Sequence, residues 1–306
     1  MSLPGTAPDG SPLVIDPTAF DHDHARPLAV GVLGEESRDG ARVLDVTFDD
    51  GAGGRVSAFV VGPGAEANGR SMPAAPSEAP SGGPGVAWAH WFDSEHPNAD
   101  RTEFLPDAIA LAAAGVISVL PQGSFPWTSD PTDGATDRAK VEAEVRRLRR
   151  CLDLLVTELG ADPARLAMVG HDFGGMATAV AMAAYRQAVA MAAYRQAVAG
   201  VIMAATPRWG DWFLPFWPIA QDRLGYVAGL RPVDPIEWVG RIAPAAVLDQ
   251  FARRDFYIAQ MTGHELHRAT SEPRAQRWYD AEHDLDLPEV RADRLEFLRE
   301  RLGLRD

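Results

Sequence analysis

The run LAMVGHDFGGMATAV, Leu166 to Val180, sets an acidic residue, Asp172, in the pattern Gly-x-Asp-x-Gly. A β-like RLAMV precedes it and an Ala-rich helical stretch follows. Gly170 and Gly174 permit a tight turn and Gly175 a close helix-to-sheet approach, so the spacing predicts a strand-turn-helix elbow. Such an elbow lifts its central side chain above the C-terminal edge of a sheet. There the backbone N–H of Phe173, at the helix N-terminus, can bind developing negative charge. Serine at this position would attack an ester carbonyl. A carboxylate attacking the same carbonyl would be a poor nucleophile and give a mixed anhydride. At an sp³ carbon bearing a halide or an epoxide oxygen it can displace directly and leave an alkyl-enzyme ester.

Hydrolysis of that ester needs a base for water and a group to orient the base. LDQFARRDFYI puts Asp255 at the end of a predicted strand, and RWYDAEHDLD puts His283 in a loop after another. Asp211, after VIMAATPRWG, competes with Asp255 as the orienting acid. Asp280 and Asp284 flank the histidine and are read as solvated, and His90 is read as structural. A leaving group also needs donors. Trp209, Trp212 and Trp217 in PRWGDWFLPFWPIA, with Trp127 and Tyr226, form either an apolar lid packed on the body or a hydrophobic substrate pocket. Tyr185 and Tyr194 are further hydroxyls within a repeat.

The elements that must position these groups alternate along the chain. ARVLDVTFDD and RVSAFVVG alternate apolar and polar residues around GAGG, as an antiparallel hairpin does. A turn-rich Gly, Pro, Ala and Ser loop follows. GVAWAHW and GVISVLPQ are short, almost wholly apolar runs, the mark of strands buried on both faces. RLAMVGH, GVIMAAT and AAVLDQFARRD continue as strands. Between them lie ADRTEFLPDAIALAAAG and DRAKVEAEVRRLRRCLDLLVTELG, the latter a long amphipathic helix with Leu148, Leu152 and Leu155 on one side. RADRLEFLRERLGL closes the chain as a helix. The expectation is an α/β fold with a mostly parallel central sheet, helices on both faces and a small cap insertion. Residues 1–306 are read as one domain, with 1–25 a polar N-terminal arm and 207–244 the cap. Within 179–199 the unit AVAMAAYRQ occurs twice and starts a third time. At about 100° per residue, nine residues turn a helix by about 900°, which puts the second copy on the opposite face. That favours tandem duplication over selection for amphipathic packing.

The run from Gly85 to Leu304 resembles the α/β-hydrolase superfamily, and within it the dienelactone hydrolase-like branch. LAMVGHDFGGM, VDPIEWVGRIAPAAVLDQFARRDFYI and RWYDAEHDLDLPEVRADRLEFLRERLGL carry the resemblance. It implies the role order nucleophile, acid, histidine, matched here by Asp172, Asp255 and His283. It also implies a second oxyanion N–H after the third strand of the superfamily. His90-Trp91-Phe92 stands there instead of the usual His-Gly, so the backbone of Trp91 or Phe92 is the candidate. The elbow GHDFGG is similar to that of haloalkane dehalogenases and epoxide hydrolases. The roughly 40 residues between GVIMAAT and AAVLDQF are too few for the large helical cap of those families. Phe173 also stands where dehalogenases commonly carry a donor tryptophan.

The net charge of −14 argues against nucleic acid or an anionic membrane as partner. No apolar run approaches the ~18 to 20 residues of a membrane span. The N-terminus lacks the basic and apolar regions of a signal peptide. A cytoplasmic chain is expected, acting on a small apolar substrate, with a homodimer left open. The one cysteine, Cys151, is read as a helix residue facing the core. No cofactor or metal is expected, because His22 and His24 have no further ligand near them in sequence and read as part of a solvated segment. Three functions stay open. One is carbon–halogen or epoxide hydrolysis through Asp172. Another is ester or lactone hydrolysis with Asp172 as a base for water. The third is a non-catalytic binding protein on a hydrolase scaffold.

Overall fold

A computed structural model describes residues 13–64, 82–92, 100–124, 133–187, 196–216 and 222–304. Nine strands form one sheet: β1 Gly31–Arg38, β2 Ala41–Asp49, β3 Arg55–Pro63, β4 Gly85–Ala89, β5 Ile117–Pro121, β6 Leu166–His171, β7 Ala197–Met203, β8 Ala246–Ala252 and β9 Arg274–Tyr279. Their order is β1-β2-β3-β5-β4-β6-β7-β8-β9. The first three strands and the β3–β5 pair are antiparallel; from β5 through β9 every neighbour is parallel. The expected hairpin is β2–β3, paired along its whole length from Ala41↔Pro63 to Asp49↔Arg55. β1 was not expected. Its GVLGEESR is an edge strand exposed along most of its length, so it lacks the apolar alternation that would have marked it.

Among the described residues, eight α-helices clothe the sheet: α1 Leu105–Ala112, α2 Gly134–Asp153, α3 Phe173–Gln187, α4 Trp209–Phe216, α5 Arg223–Leu230, α6 Pro235–Trp238, α7 Gln260–Ala269 and α8 Pro288–Arg301. The continuous apolar runs of the central strands follow from burial on both faces. In β4, Ala87 and Ala89 point into a core shared with α2 and α3, while Val86 and Trp88 point into a second core shared with α1 and α8. Cys151, Leu148, Leu152 and Leu155 lie in the first of these cores, as the helical spacing predicts. The β7–β8 connection holds α4, α5 and α6. Gly229 of α5 and Gly134 of α2 meet so closely that a Cβ on Gly229 would lie 2.8 Å from the Gly134 Cα. No helix among the described residues is long and apolar enough to cross a membrane.

The N-terminal segment is not a solvated arm over its described part. Phe20 is fully buried, edge-on to Trp238 with ring centroids 5.1 Å apart. Its carbonyl accepts a hydrogen bond from the buried guanidinium of Arg149, and Arg146 reaches the carbonyl of Ala19. Composition alone hid this, because one aromatic and a few backbone carbonyls make the attachment. Truncating a fully buried aromatic costs about 3–5 kcal/mol. Phe20→Ala is therefore expected to lower stability by that amount in a denaturant titration, whereas a free arm would leave it unchanged.

Candidate functional site

The site is built at the C-terminal ends of β6, β8 and β9. β6 ends at His171 and the chain turns at once. Asp172 has φ 55°, the left-handed region that costs a residue with a Cβ about 1–2 kcal/mol. Its N–H donates to the carbonyl of Met203 at 2.9 Å, and its own carbonyl accepts from Met176 at 2.9 Å as α3 begins. The turn needs its glycines. A Cβ on Gly170 would stand 2.2 Å from the Gly174 carbonyl oxygen, and one on Gly174 2.2 Å from that of Ala89. The elbow read from the sequence is thus present.

The Asp172 side chain is 2% exposed. Its carboxylate accepts the backbone N–H of Phe173, and Oδ2 accepts that of Phe92 over a long 3.4 Å. Oδ1 has no hydrogen-bond partner among the described residues and lies 3.8 Å from Nε2 of His283. His283 Nδ1 donates to Asp255 Oδ2 at 2.8 Å. Asp255 is itself fixed, its Oδ1 accepting the backbone N–H groups of Tyr257 at 2.8 Å and Ile258 at 2.9 Å. With Asp255 on the Nδ1 side, Nε2 is the ring nitrogen that faces Asp172. At 3.8 Å the two atoms are too far apart for a direct hydrogen bond, and a water about 2.8 Å from each can sit off their axis. Burial pushes the Asp172 carboxyl up to about 7, against the opposing pull of His283 and the two backbone N–H groups.

The structure brings Asp172, Asp255, His283, Phe92 and Phe173 together, and separates other expected members from them. The Trp91 N–H does not face Asp172: it donates to Glu103 Oε2 at 2.7 Å, leaving Phe92 as the second donor. Trp209 is buried with its indole N–H on the carbonyl of Val233, and its ring stacks on Phe173 with centroids 6.0 Å apart, so it forms a wall and offers no donor. The Tyr226 hydroxyl donates to Asp137 Oδ2 at 2.9 Å, where α5 meets α2, and is not available to a leaving group. Asp211 pairs with Arg208, not with His283. Asp280 pairs with Arg254. His90 is structural: it accepts the N–H of Gly123 at Nε2 and faces the Trp91 carbonyl at Nδ1. Trp127, Trp217 and Tyr194, with the side chains of Trp212 and Tyr185, lie outside the described residues.

Two residues given no role from the sequence tie the site together. His171 Nε2 donates to the backbone carbonyl of His283 at 2.9 Å, since a carbonyl can only accept. Its Nδ1 lies 2.7 Å from Glu103 Oε1, while Oε2 of the same carboxylate takes the Trp91 N–H. The Trp91 ring lies parallel to His171, centroids 5.5 Å apart. Glu103 and His171 therefore brace the loop carrying Phe92 against the loop carrying His283. His171 stands beside the elbow in the sequence, a signal that was there to find. Glu103, 68 residues upstream, carries none.

This sheet, with its antiparallel edge, helices on both faces and elbow after the sixth strand, is the α/β-hydrolase fold. No protein-family model matches the chain, and no curated protein matches its sequence. Solved structures do match. An acetyl xylan esterase from a Paenibacillus species superposes with a TM-score of 0.67 at 17% identity, covering 93% of this chain and 92% of that one. Acetyl xylan esterase 1 from a Thermoanaerobacterium species gives 0.62 at 14%, covering 94% and 92%. An S-formylglutathione hydrolase from Agrobacterium tumefaciens gives 0.60 at 14%, covering 89% and 100%. These likenesses concern the body of the fold. The resemblance to dehalogenases and epoxide hydrolases expected from the elbow is not shown by these superpositions, which are with two esterases and an S-formylglutathione hydrolase.

The raised Asp172 pKa ties stability to pH. Between pH 3.8 and about 7 the folded chain holds a proton that the unfolded chain has released. Stability therefore falls as pH rises through that window, by on the order of 4 kcal/mol in all. Asp172→Asn, which stays neutral, is expected to raise the melting temperature at pH 8 and to lose that advantage toward pH 4. An Asn variant less stable than the parent at pH 8 would contradict this.

Proposed function

We propose that the chain hydrolyses carboxylic esters or lactones, with Asp172 and His283 together activating water. The observation that carries this reading is the 3.8 Å gap between Asp172 Oδ1 and His283 Nε2, with Asp255 fixing the imidazole. A water held there has an acceptor on each side, and an Asp172 carboxyl titrating near 7 can take a proton at neutral pH and return it. The substrate carbonyl oxygen would replace Asp172 Oδ2 at the N–H groups of Phe92 and Phe173. The existing 3.4 Å contact to Phe92 is weak enough to yield. The tetrahedral oxyanion collapses to the acid, and the alkoxide leaves with the proton taken from water. Two structural neighbours are acetyl xylan esterases by name and a third is an S-formylglutathione hydrolase, which supports hydrolysis of acyl substrates.

One observation favours a second reading. A carboxylate whose oxygen already rests on the two N–H groups is placed as the carbonyl of an enzyme-bound ester would be. Displacement at a carbon bearing halide or epoxide oxygen would then use Oδ1. Isotope labelling separates the two. In H₂¹⁸O, direct attack by water puts the label in the released acid from the first turnover and none in Asp172. Displacement puts it into Asp172 first, detectable by peptide mass.

Turnover of short-chain aryl esters is expected, with kcat/KM rising through pH ~7 as Asp172 ionises and then levelling. Asp172→Asn should lower it by about 10²–10⁴, the usual contribution of a positioned base. Ester turnover undiminished in Asp172→Asn, or label accumulating in Asp172, would overturn the base mechanism. Glu103→Ala should lower kcat by on the order of 10² through misplacement of His283 and Phe92. Glu103→Gln, which keeps an acceptor for Trp91, should retain more of it.

A further inference from the structure

His22 and His24, two residues apart near the N-terminus, meet a carboxylate from far along the chain. His22 Nε2 lies 2.7 Å from Asp153 Oδ2, and His24 Nδ1 lies 3.0 Å from Oδ1 and 3.2 Å from Oδ2. The two rings are 4.1 Å apart. The His22 and Asp153 side chains are 3% and 1% exposed, and that of His24 is 26% exposed. One nitrogen of each ring and the carboxylate oxygens converge within 4.8 Å of one another. Asp153 is the last residue of α2, and a π-helical turn, Leu154–Glu158, starts immediately after it. Widened turns of this kind recur at functional sites.

We propose that His22, His24 and Asp153 form a binding site for a divalent transition-metal ion, zinc in the first instance, which fastens the N-terminal segment to α2. Two imidazoles and a carboxylate are a zinc ligand set, with bonds of about 2.0–2.2 Å. Tetrahedral ligands on such bonds stand about 3.3 Å apart. The spacings of 2.7 and 3.2 Å to Asp153 Oδ2 would open by up to about 0.6 Å to admit the ion, and the ligand atoms all lie within 4.8 Å of one another. Binding through these nitrogens requires that any remaining ring N–H sit on His22 Nδ1 and His24 Nε2.

The surrounding charges bear on affinity. Arg150 Nη1 stands 3.6 Å from Asp153 Oδ2 and opposes a cation. Its guanidinium is held back by the carbonyls of Arg26, Pro27 and Asp49, which face it from the other side. Arg149 is turned to the Phe20 carbonyl and toward Asp21. The ion would add a cross-link between the segment that buries Phe20 and the helix that receives it, closing a loop of more than a hundred residues.

The test uses the untagged full-length chain, stripped with chelator and titrated with ZnCl₂ by calorimetry, with thermal melting as a second readout. One zinc per chain and a higher melting temperature on loading are expected. His24→Ala, at the most exposed ligand, is expected to keep the fold, checked by circular dichroism. It should weaken binding by more than the roughly tenfold that loss of an outer partner costs. His264→Ala, on the exposed face of α7, should not change it. Binding weaker than about 1 mM in the parent chain, or equal binding in the parent, His24→Ala and His22→Gln, overturns the proposal.

Discussion

A buried carboxyl at a strained turn is the constraint on which the site depends. Asp172 sits in the left-handed region with its backbone pinned between β6, β7 and α3, and its side chain is sealed from water. Neither condition stabilises the fold. Left-handed φ is costly for a residue with a Cβ, and an ionised carboxylate loses hydration on burial. Both are tolerated because Gly170 and Gly174 let two backbones meet at distances no side chain would allow. What results is an oxygen fixed beside a histidine, with a proton affinity suited to neutral pH.

The surroundings keep that geometry from relaxing. Asp255 holds His283 from one side through Nδ1, and the backbone of the same loop holds Asp255. From the other side the His171–Glu103 pair takes the His283 carbonyl and the Trp91 N–H. The loops after β4, β6, β8 and β9 are therefore connected by hydrogen bonds through a few buried groups. Such a network fixes position where isolated loops would drift. Phe173 stacked on Trp209 closes the base of the elbow, which explains why a residue without a donor serves there.

The hydrogen-bonded partners of Trp209 and Tyr226 show where reading a sequence fails. Indole and phenol groups are candidates for a pocket by type. Their roles were decided by the carbonyl of Val233 and the carboxylate of Asp137, at the meeting of α5 with α2 and of α4 with the Asp234 turn. The N-terminal segment makes the same point in reverse. Its polar composition suggests solvent, yet Phe20 and two carbonyls seat it against α2. Glu103 was illegible for a related reason, since an acidic residue between a loop and a helix is ordinary until His171 and Trp91 are placed beside it.

Local chemistry determined much. Asp255 and His283 were named as partners by the role order that the resemblance implies. The glycine pattern around Asp172 announced the elbow, and apolar runs announced strands buried on both faces. These features are legible because steric limits and periodicity act over a few residues. Tertiary structure decided which N–H groups face Asp172, which aromatic groups remain available, and what His22 and His24 meet. The tripeptide Ala-Val-Ala states the limit plainly. At 179–181 it is helical within α3, and at 197–199 it is extended in β7. Its own preferences are too weak to choose. Docking of α3 on the sheet selects the helix in one place, and hydrogen bonding to β6 selects the strand in the other.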